Sequence, residues 1–212
     1  KYNIDNLEPI ANWGADPAVL IVGKDSPFDT LEDLMTYARS NPGKVTFSGA
    51  GLYVGHHIAF LQFARATGLK MTYVPHKGGT PAMKSVMGGQ VAAGFNNLSD
   101  AYRNQDSIKI LAVADLKRNT EFLPDVATFK EQGVEVDDSS VNFRGIMARK
   151  GTPPEVVDYL AQRVPLMFED KKTLKKMNSA GSPVRIIPRD EVIRMWKERE
   201  VYLKDLLSDL KK

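Results

Sequence analysis

The chain has 212 residues, 42% of them hydrophobic and 26% charged, with no cysteine and a formal net charge of +3. That length suits one large or two small domains, and the composition excludes a disordered, collagen-like or disulfide-stapled chain. Without cysteine there is no thiol nucleophile, iron–sulfur cluster or cysteine-bearing zinc site.

The opening Lys1 to Asn6 lacks the apolar core of a signal peptide. Val19-Leu20-Ile21-Val22 reads as a strand buried on both faces. Its apolar run, Ala18 to Val22, is far short of the roughly 18 residues that span a membrane, so no membrane insertion is expected. Thr30 with Asp33 marks a helix start, and Leu31, Leu34, Met35 and Ala38 then line one face until Asn41-Pro42-Gly43 stops it. Val45-Thr46-Phe47 is a strand, Ser48 to Gly55 a glycine-rich loop, and His56 to Thr67 a helix ended by Gly68. The cycle repeats with strand Met71 to Val74, loop Pro75 to Thr80, helix Pro81 to Met87, strand Val91 to Phe95, loop Asn96 to Ser99 and strand Ile108 to Ala114. Such alternation predicts an α/β fold with parallel strands. Beyond it, Asp125 to Gln132 reads as a short helix closed by Gly133, and Val141 to Ala148 as a strand. Thr152 and Glu155 form a capping-box pattern, with a proline at the first helical position, for a helix running to Glu169 and kinked at Pro165. Lys171 to Ala180 is a further helix and Val184 to Ile187 a short strand. Asp190 to Leu210 is a long helix with Ile193, Trp196, Leu203, Leu207 and Leu210 on its apolar face. The basic pairs Lys171-Lys172, Lys175-Lys176 and Lys211-Lys212 sit in charged helical text and read as solvated faces, so no nucleic-acid partner is expected.

The most informative segment is Phe47-Ser48-Gly49-Ala50-Gly51-Leu52-Tyr53-Val54-Gly55-His56-His57, a strand feeding through small residues into a helix. Glycines let a backbone approach a ligand, and free amides at a helix start favour an anion; a plain turn is the other reading. A dinucleotide fingerprint fails, because the third glycine is Gly55 rather than one at position 54 and Pro75-His76 stand where an acid should end the next strand. A second loop, Pro75-His76-Lys77-Gly78-Gly79-Thr80-Pro81, again joins a strand to a helix, with Thr80 as expected N-cap and Lys77 either a cation for the site or a surface lysine. Asn96-Asn97-Leu98-Ser99 is a third. Three such loops after strands should cluster at the carboxyl edge of one sheet, where α/β proteins place ligands.

Catalytic patterns are absent: there is no Gly-x-Ser-x-Gly elbow, phosphate-binding P-loop or His-Glu-x-x-His. His56 and His57 are adjacent, about 100° apart on a helix, and so do not share a metal as an i, i+4 pair would. Packing or capping is the expected role of His57. A triad of Ser48, His76 and a distant Asp has no supporting spacing. Trp13 reads as a core or hinge residue, and Arg144, inside an apolar strand, as a salt-bridge partner or a ligand contact.

Taken together these segments resemble the substrate-binding proteins of the tripartite tricarboxylate transporter family, also called the Bordetella uptake gene family. The resemblance rests on Pro9 to Val22, Pro42 to Phe47, Tyr73 to Ala82, Gly88-Gly89-Gln90-Val91, Phe95-Asn96-Asn97, Leu111-Ala112-Val113, Leu123 to Thr128 and Gly151 to Glu155, in that order. It implies a type II periplasmic-binding-protein-like, two-lobed α/β sandwich of the Venus-flytrap kind, monomeric when full length. Such a receptor is periplasmic, carries no cofactor and no metal, catalyses nothing, and delivers a small carboxylate to membrane permease subunits. It further implies that the chain lacks the front of the first domain, about 80 to 100 residues. Residues 15–114 would then be the second domain, with a returning strand near 141–148, and residues 1–14 and 115–212 interdomain segments and the end of the first domain. The implied ligand residues are Ser48, Gly49, Ala50, Gly51, Tyr53, Val54, His56, Lys77, Gly78, Gly79, Asn96 and Asn97.

Departures from the family pattern bear on the ligand. Where Ser-Ala-Gly-Asn-Gly-Thr-Ser-Ser-His is common, Gly49 to His57 has lost most hydroxyls and the amide; the usual tyrosine before Lys-Gly is His76, and the usual Asp after the strand phenylalanine is Asn96. The expected ligand is a carboxylate larger or less polar than the shortest dicarboxylates, without an amino group. A ligand sensor acting on a signalling partner, and an α/β hydrolase, are the alternatives.

Overall fold

The computed structural model describes residues 4–208; Lys1 to Asn3, Leu210 and the Lys211-Lys212 pair lie outside them. In chain order the strands are β1 (Leu7–Asp16), β2 (Ala18–Gly23), β3 (Thr46–Ala50), β4 (Thr72–His76), β5 (Ala93–Asn97), β6 (Ile108–Ala114), β7 (Asn142–Arg149) and β8 (Val184–Ile187). The α-helices are α1 (Leu31–Ser40), α2 (Gly55–Thr67), α3 (Gly79–Met87), α4 (Leu98–Arg103), α5 (Pro154–Arg163), α6 (Lys171–Ser179) and α7 (Arg189–Ser208). The chain divides into two compact units, Pro17–Asn142 and Lys1–Asp16 with Phe143–Lys212.

The Pro17–Asn142 unit is built on a five-stranded sheet of order β4-β3-β5-β2-β6. β3 pairs parallel with β4 and β5, whereas β2 is antiparallel to both β5 and β6. The expectation of parallel strands therefore holds for β3, β4 and β5 and is corrected at β2. Alternation along β2 explains its unbroken apolar text. Ala18, Leu20 and Val22 pack with α1 and α2, and Val19 and Ile21 with α3 and α4. Phe47, Phe63, Phe95 and Phe129 are fully buried in the first of these layers, Phe47 lying over Phe95 of the neighbouring strand at 5.8 Å. The α1 start is as predicted: Thr30 and Asp33 form a reciprocal capping box. Segment 115–142, expected among the interdomain segments and the end of the first domain, lies in this unit, whereas the strand expected to return to it near 141–148, β7, belongs to the sheet of the other unit. Val113 and Thr128 form a bridge, Phe129 enters the core, and Asp125 to Gln132 contains only a single 3-10 turn, Lys130–Gln132.

Other boundaries differ for local reasons. β3 extends to Ala50 because Gly49 and Ala50 pair in register with Pro75 and His76, which shortens the expected Ser48 to Gly55 loop. Asn96 to Ser99 is not a loop but the end of β5 running directly into α4. α3 begins at Gly79 with Gly78 as N-cap rather than Thr80. Pro81 then falls in the first turn, where a missing N–H leaves no intrahelical bond unmade.

In the second unit the sheet order is β7-β1-β8, with β1 and β8 antiparallel. Its core is small: Ile10, Ala11 and Val157, flanked by Ala148, Leu160, Ala161 and Val164. Gly145 is required here, since a Cβ would stand 2.0 Å from Asn12 Oδ1. Glu8 on β1 is clamped by Lys150 at 3.1 Å and by Arg189 at the start of α7. The Lys150 hydrogen bond, ahead of the Arg189 charge, holds the Glu8 carboxyl below the usual carboxylate range. Trp13 stacks on Phe168 at 5.3 Å, and Arg144 is a salt-bridge partner, its Nη2 lying 3.4 Å from buried Asp16. The expected Thr152/Glu155 capping box is not formed: Pro153 is the N-cap of α5, and the Thr152 hydroxyl donates to the Arg149 carbonyl. Instead of a kinked helix to Glu169, α5 stops at Arg163 and a 3-10 turn, Pro165–Phe168, follows. Pro165 has no N–H to continue the α-helical ladder. The buried face of α7 is centred on Val192 and Leu206, with Ile193, Trp196, Leu203 and Leu207 half-buried beside it.

Candidate functional site

Because β3, β4 and β5 run parallel, their ends at Ala50, His76 and Asn97 share the carboxyl edge of the sheet, the place where α/β folds hold ligands. Each strand turns at once into a helix: 51–54 leads into α2, Lys77-Gly78 into α3, and Asn97 is itself the N-cap of α4. Gly78 has φ 135°, a conformation in which a side chain would be strained.

A largely buried polar network ties the three strand-to-helix junctions together. His56, in the first turn of α2, accepts the Ala50 N–H at Nδ1 (3.1 Å), and its Nε2 lies 2.9 Å from Asn97 Oδ1. A backbone N–H can only donate, so the neutral Nε2–H tautomer satisfies both contacts. Asn97 Oδ1 also accepts from Asn142 Nδ2 at 2.6 Å. Asn96, fully buried, donates from Nδ2 to the Gly79 carbonyl and accepts the Asn97 N–H at Oδ1, both at 2.9 Å. Gly55 lets the segment before β7 approach α2, since a Cβ there would stand 2.5 Å from the Ser140 carbonyl oxygen and 2.8 Å from Asn142 Oδ1.

A second set of contacts supports the 51–54 turn from below. The Tyr73 hydroxyl donates to the Gly51 carbonyl at 3.0 Å, and the Tyr53 N–H donates to His57 Nδ1 at 3.1 Å. The His57 and Tyr73 rings pack 4.5 Å apart. Burial pushes the His57 imidazole below its ordinary value of 6.5 and the Tyr73 phenol upward. Gly49 makes room for this arrangement: a Cβ would lie 2.1 Å from the Tyr73 hydroxyl. Of the amides from Gly51 to Gly55, that of Gly51 binds the Gly49 carbonyl and that of Tyr53 binds His57. The N–H groups of Leu52, Val54 and Gly55 have no partner among the described residues.

Of the predicted site residues, Gly49, Ala50, Gly51, Tyr53, Val54, His56, Lys77, Gly78, Gly79, Asn96 and Asn97 gather at this edge. Ser48 does not: it is buried, and its hydroxyl donates to the Ala82 carbonyl at 2.9 Å, holding α3 against β3. Lys77 is exposed on its turn. The Ser48 and His76 pairing of the hydrolase alternative is not formed, His76 Nδ1 being bonded to the Val74 carbonyl at 3.0 Å. Of the packing or capping expected of His57, packing against Tyr73 is what forms, and its Nδ1 accepts the Tyr53 N–H rather than capping α2. The sequence reading omits Asn142 and Tyr73. Asn142 lies 45 residues from Asn97, and no local pattern signals that meeting, whereas Tyr73 pairs with Phe47, two residues before Gly49, in the β3–β4 register. Among the described residues no group of three or more His, Asp or Glu is placed to hold a metal, and no helix is long and apolar enough to cross a membrane.

The family model described as the tripartite tricarboxylate transporter family receptor matches residues 1–181. The chain belongs to this receptor family. It is 31% identical over 158 residues to a UPF0065 protein of Cupriavidus necator, covering 74% of this chain and 47% of that protein. To BugT of Bordetella pertussis it is 27% identical over 190 residues, covering 89% and 58%. The chain spans about half the length of the curated relatives it matches first. Among solved structures the receptor chain is similar to the periplasmic binding protein BugD, at 26% identity and TM-score 0.83 over 98% of this chain and 71% of that one. It shares its fold with an R. palustris protein solved with adipate, at 24% identity and TM-score 0.85 over 98% and 70%, and with the malate-bound MatC of Rhodopseudomonas palustris, at 22% and 0.81 over 97% and 71%. The fold is thus the mixed α/β fold of periplasmic solute-binding receptors.

Proposed function

We propose that the protein is a periplasmic receptor that captures a small carboxylate and delivers it to the membrane permease of a tripartite tricarboxylate-type transporter, without catalysing a reaction. The observation that carries this reading is the convergence of three strand-to-helix junctions on one sheet edge, locked by the His56, Asn97 and Asn96 network. Helix N-termini favour anions through their unpaired amides and the helix dipole. In this reading the N–H groups of Leu52, Val54 and Gly55 hold one carboxylate, the Gly78-Gly79 start of α3 faces the same edge, and Lys77 adds a cation. Asn96, in place of an acid, removes one charge that would repel an anion. The bound adipate and malate of the structural relatives support the choice of ligand class. The Pro17–Asn142 unit is the ligand-binding lobe, and the other unit the carboxyl-terminal part of its companion.

Isothermal titration of the full-length protein with a panel of carboxylates and amino acids tests this. Saturable binding of at least one carboxylate lacking an amino group is expected; aspartate or glutamate binding best, or no carboxylate binding, contradicts it.

A further inference from the structure

The 51–54 turn carries three consecutive exposed apolar side chains, Leu52, Tyr53 and Val54, at 51%, 61% and 44% exposure. Contiguous apolar surface on a folded protein marks a place where something binds. This patch is also held rigid. Tyr73 fixes the Gly51 carbonyl, His57 fixes the Tyr53 N–H, and the Tyr53 ring stands edge-on to His57 at 5.5 Å and 68°. Tyr53 is the one non-glycine residue with positive φ, 61°, among the described residues. An aromatic kept exposed in a disfavoured backbone conformation is held there by its surroundings, an arrangement typical of binding sites.

The chemistry of the turn itself is equally one-sided, the cation of this edge, Lys77, standing on the neighbouring turn. The amides of Leu52, Val54 and Gly55, without a partner among the described residues, supply donors for a single carboxylate, while the turn itself carries no charged side chain to meet a second ligand charge. The Asp100 carboxylate, near Gly79, is paired with Arg103.

Building on the carboxylate-receptor reading, we propose that the ligand has an aromatic body and that the 51–54 turn is a preformed shelf for it, with Tyr53 the specificity-determining residue. The carboxylate lies at the α2 amides and the ring packs on Tyr53, flanked by Leu52 and Val54. Because the shelf is already ordered, little conformational freedom is lost on binding.

Titration of the full-length protein and its Tyr53→Gly and Tyr53→Phe variants with phenylacetate and succinate tests the proposal. Glycine suits the φ of this position, so Tyr53→Gly keeps the fold, which a thermal melt confirms. The wild type is expected to prefer phenylacetate. Tyr53→Gly should reduce the phenylacetate-over-succinate preference by about threefold to tenfold, the range of one aromatic contact, and Tyr53→Phe should retain it. Equal or tighter succinate binding by the wild type, or an unchanged preference in Tyr53→Gly, overturns the shelf and leaves the receptor reading standing. Absence of binding by every carboxylate overturns both.

Discussion

At the scale of single residues, the candidate edge depends on side chains that serve the backbone. His56 holds the end of β3, Asn96 the start of α3, and Asn142 completes the bonding of Asn97. Asn142→Ala removes one of two donors to Asn97 Oδ1. It should weaken carboxylate binding severalfold while lowering stability by only about 1 kcal/mol, read by titration and by denaturant unfolding. His57 makes the stability of this unit pH-dependent. Its pKa is lowered by burial in the folded state, so the unfolded chain binds more protons and stability rises with pH across the window below 6.5. Acidification from pH 7 toward pH 5 should therefore lower the melting temperature, and His57→Gln should flatten that dependence; an unaltered slope in the variant contradicts the assignment. Gly49→Ala should destabilise by roughly 1–3 kcal/mol, because the new methyl displaces the Tyr73 hydroxyl and with it the Gly51 carbonyl contact.

At the scale of elements, local text determined where side-chain signals exist. The Thr30 and Asp33 box opens α1 as read from the sequence, and Thr30→Ala should cost about 1 kcal/mol, visible as a lower thermal midpoint. Gly68, in the left-handed conformation, closes α2 where expected. The misread boundaries lack such signals: α3 starts at a glycine without a side-chain cap, and α4 follows β5 with no intervening turn. Thr152 and Glu155 carry a capping pattern, yet Pro153 takes the N-cap position and the Thr152 hydroxyl turns back to Arg149. The direction of β2 was illegible because a strand buried on both faces reads the same whichever way its neighbours run. The gathering of the β3, β4 and β5 ends at one edge was legible, since it follows from strand-to-helix order, although the third expected loop is a direct junction. The turning inward of Ser48 and the arrival of Asn142 were not, because both depend on contacts far apart in sequence.

At the scale of the whole molecule, the two units differ in how much they bury. The Pro17–Asn142 unit has two extensive core layers on either side of β2, whereas the other has a small cluster and leaves Tyr159, Leu166, Met167 and Val201 exposed. Amide exchange should accordingly be slowest in β2 and β5 and fastest in α6, which has no buried residue; mass-spectrometric exchange that protects α6 as well as β2 would reverse this ranking. The central claim is that a carboxylate is held at the carboxyl edge of the five-stranded sheet. Amide chemical-shift mapping of the full-length protein during titration with a bound carboxylate tests it most directly. The largest shifts are expected at Leu52, Val54, Gly55, Gly78, Gly79 and Asn97. Shifts concentrated elsewhere, such as around Glu8, Lys150 and Trp196, with this edge unmoved, would contradict it.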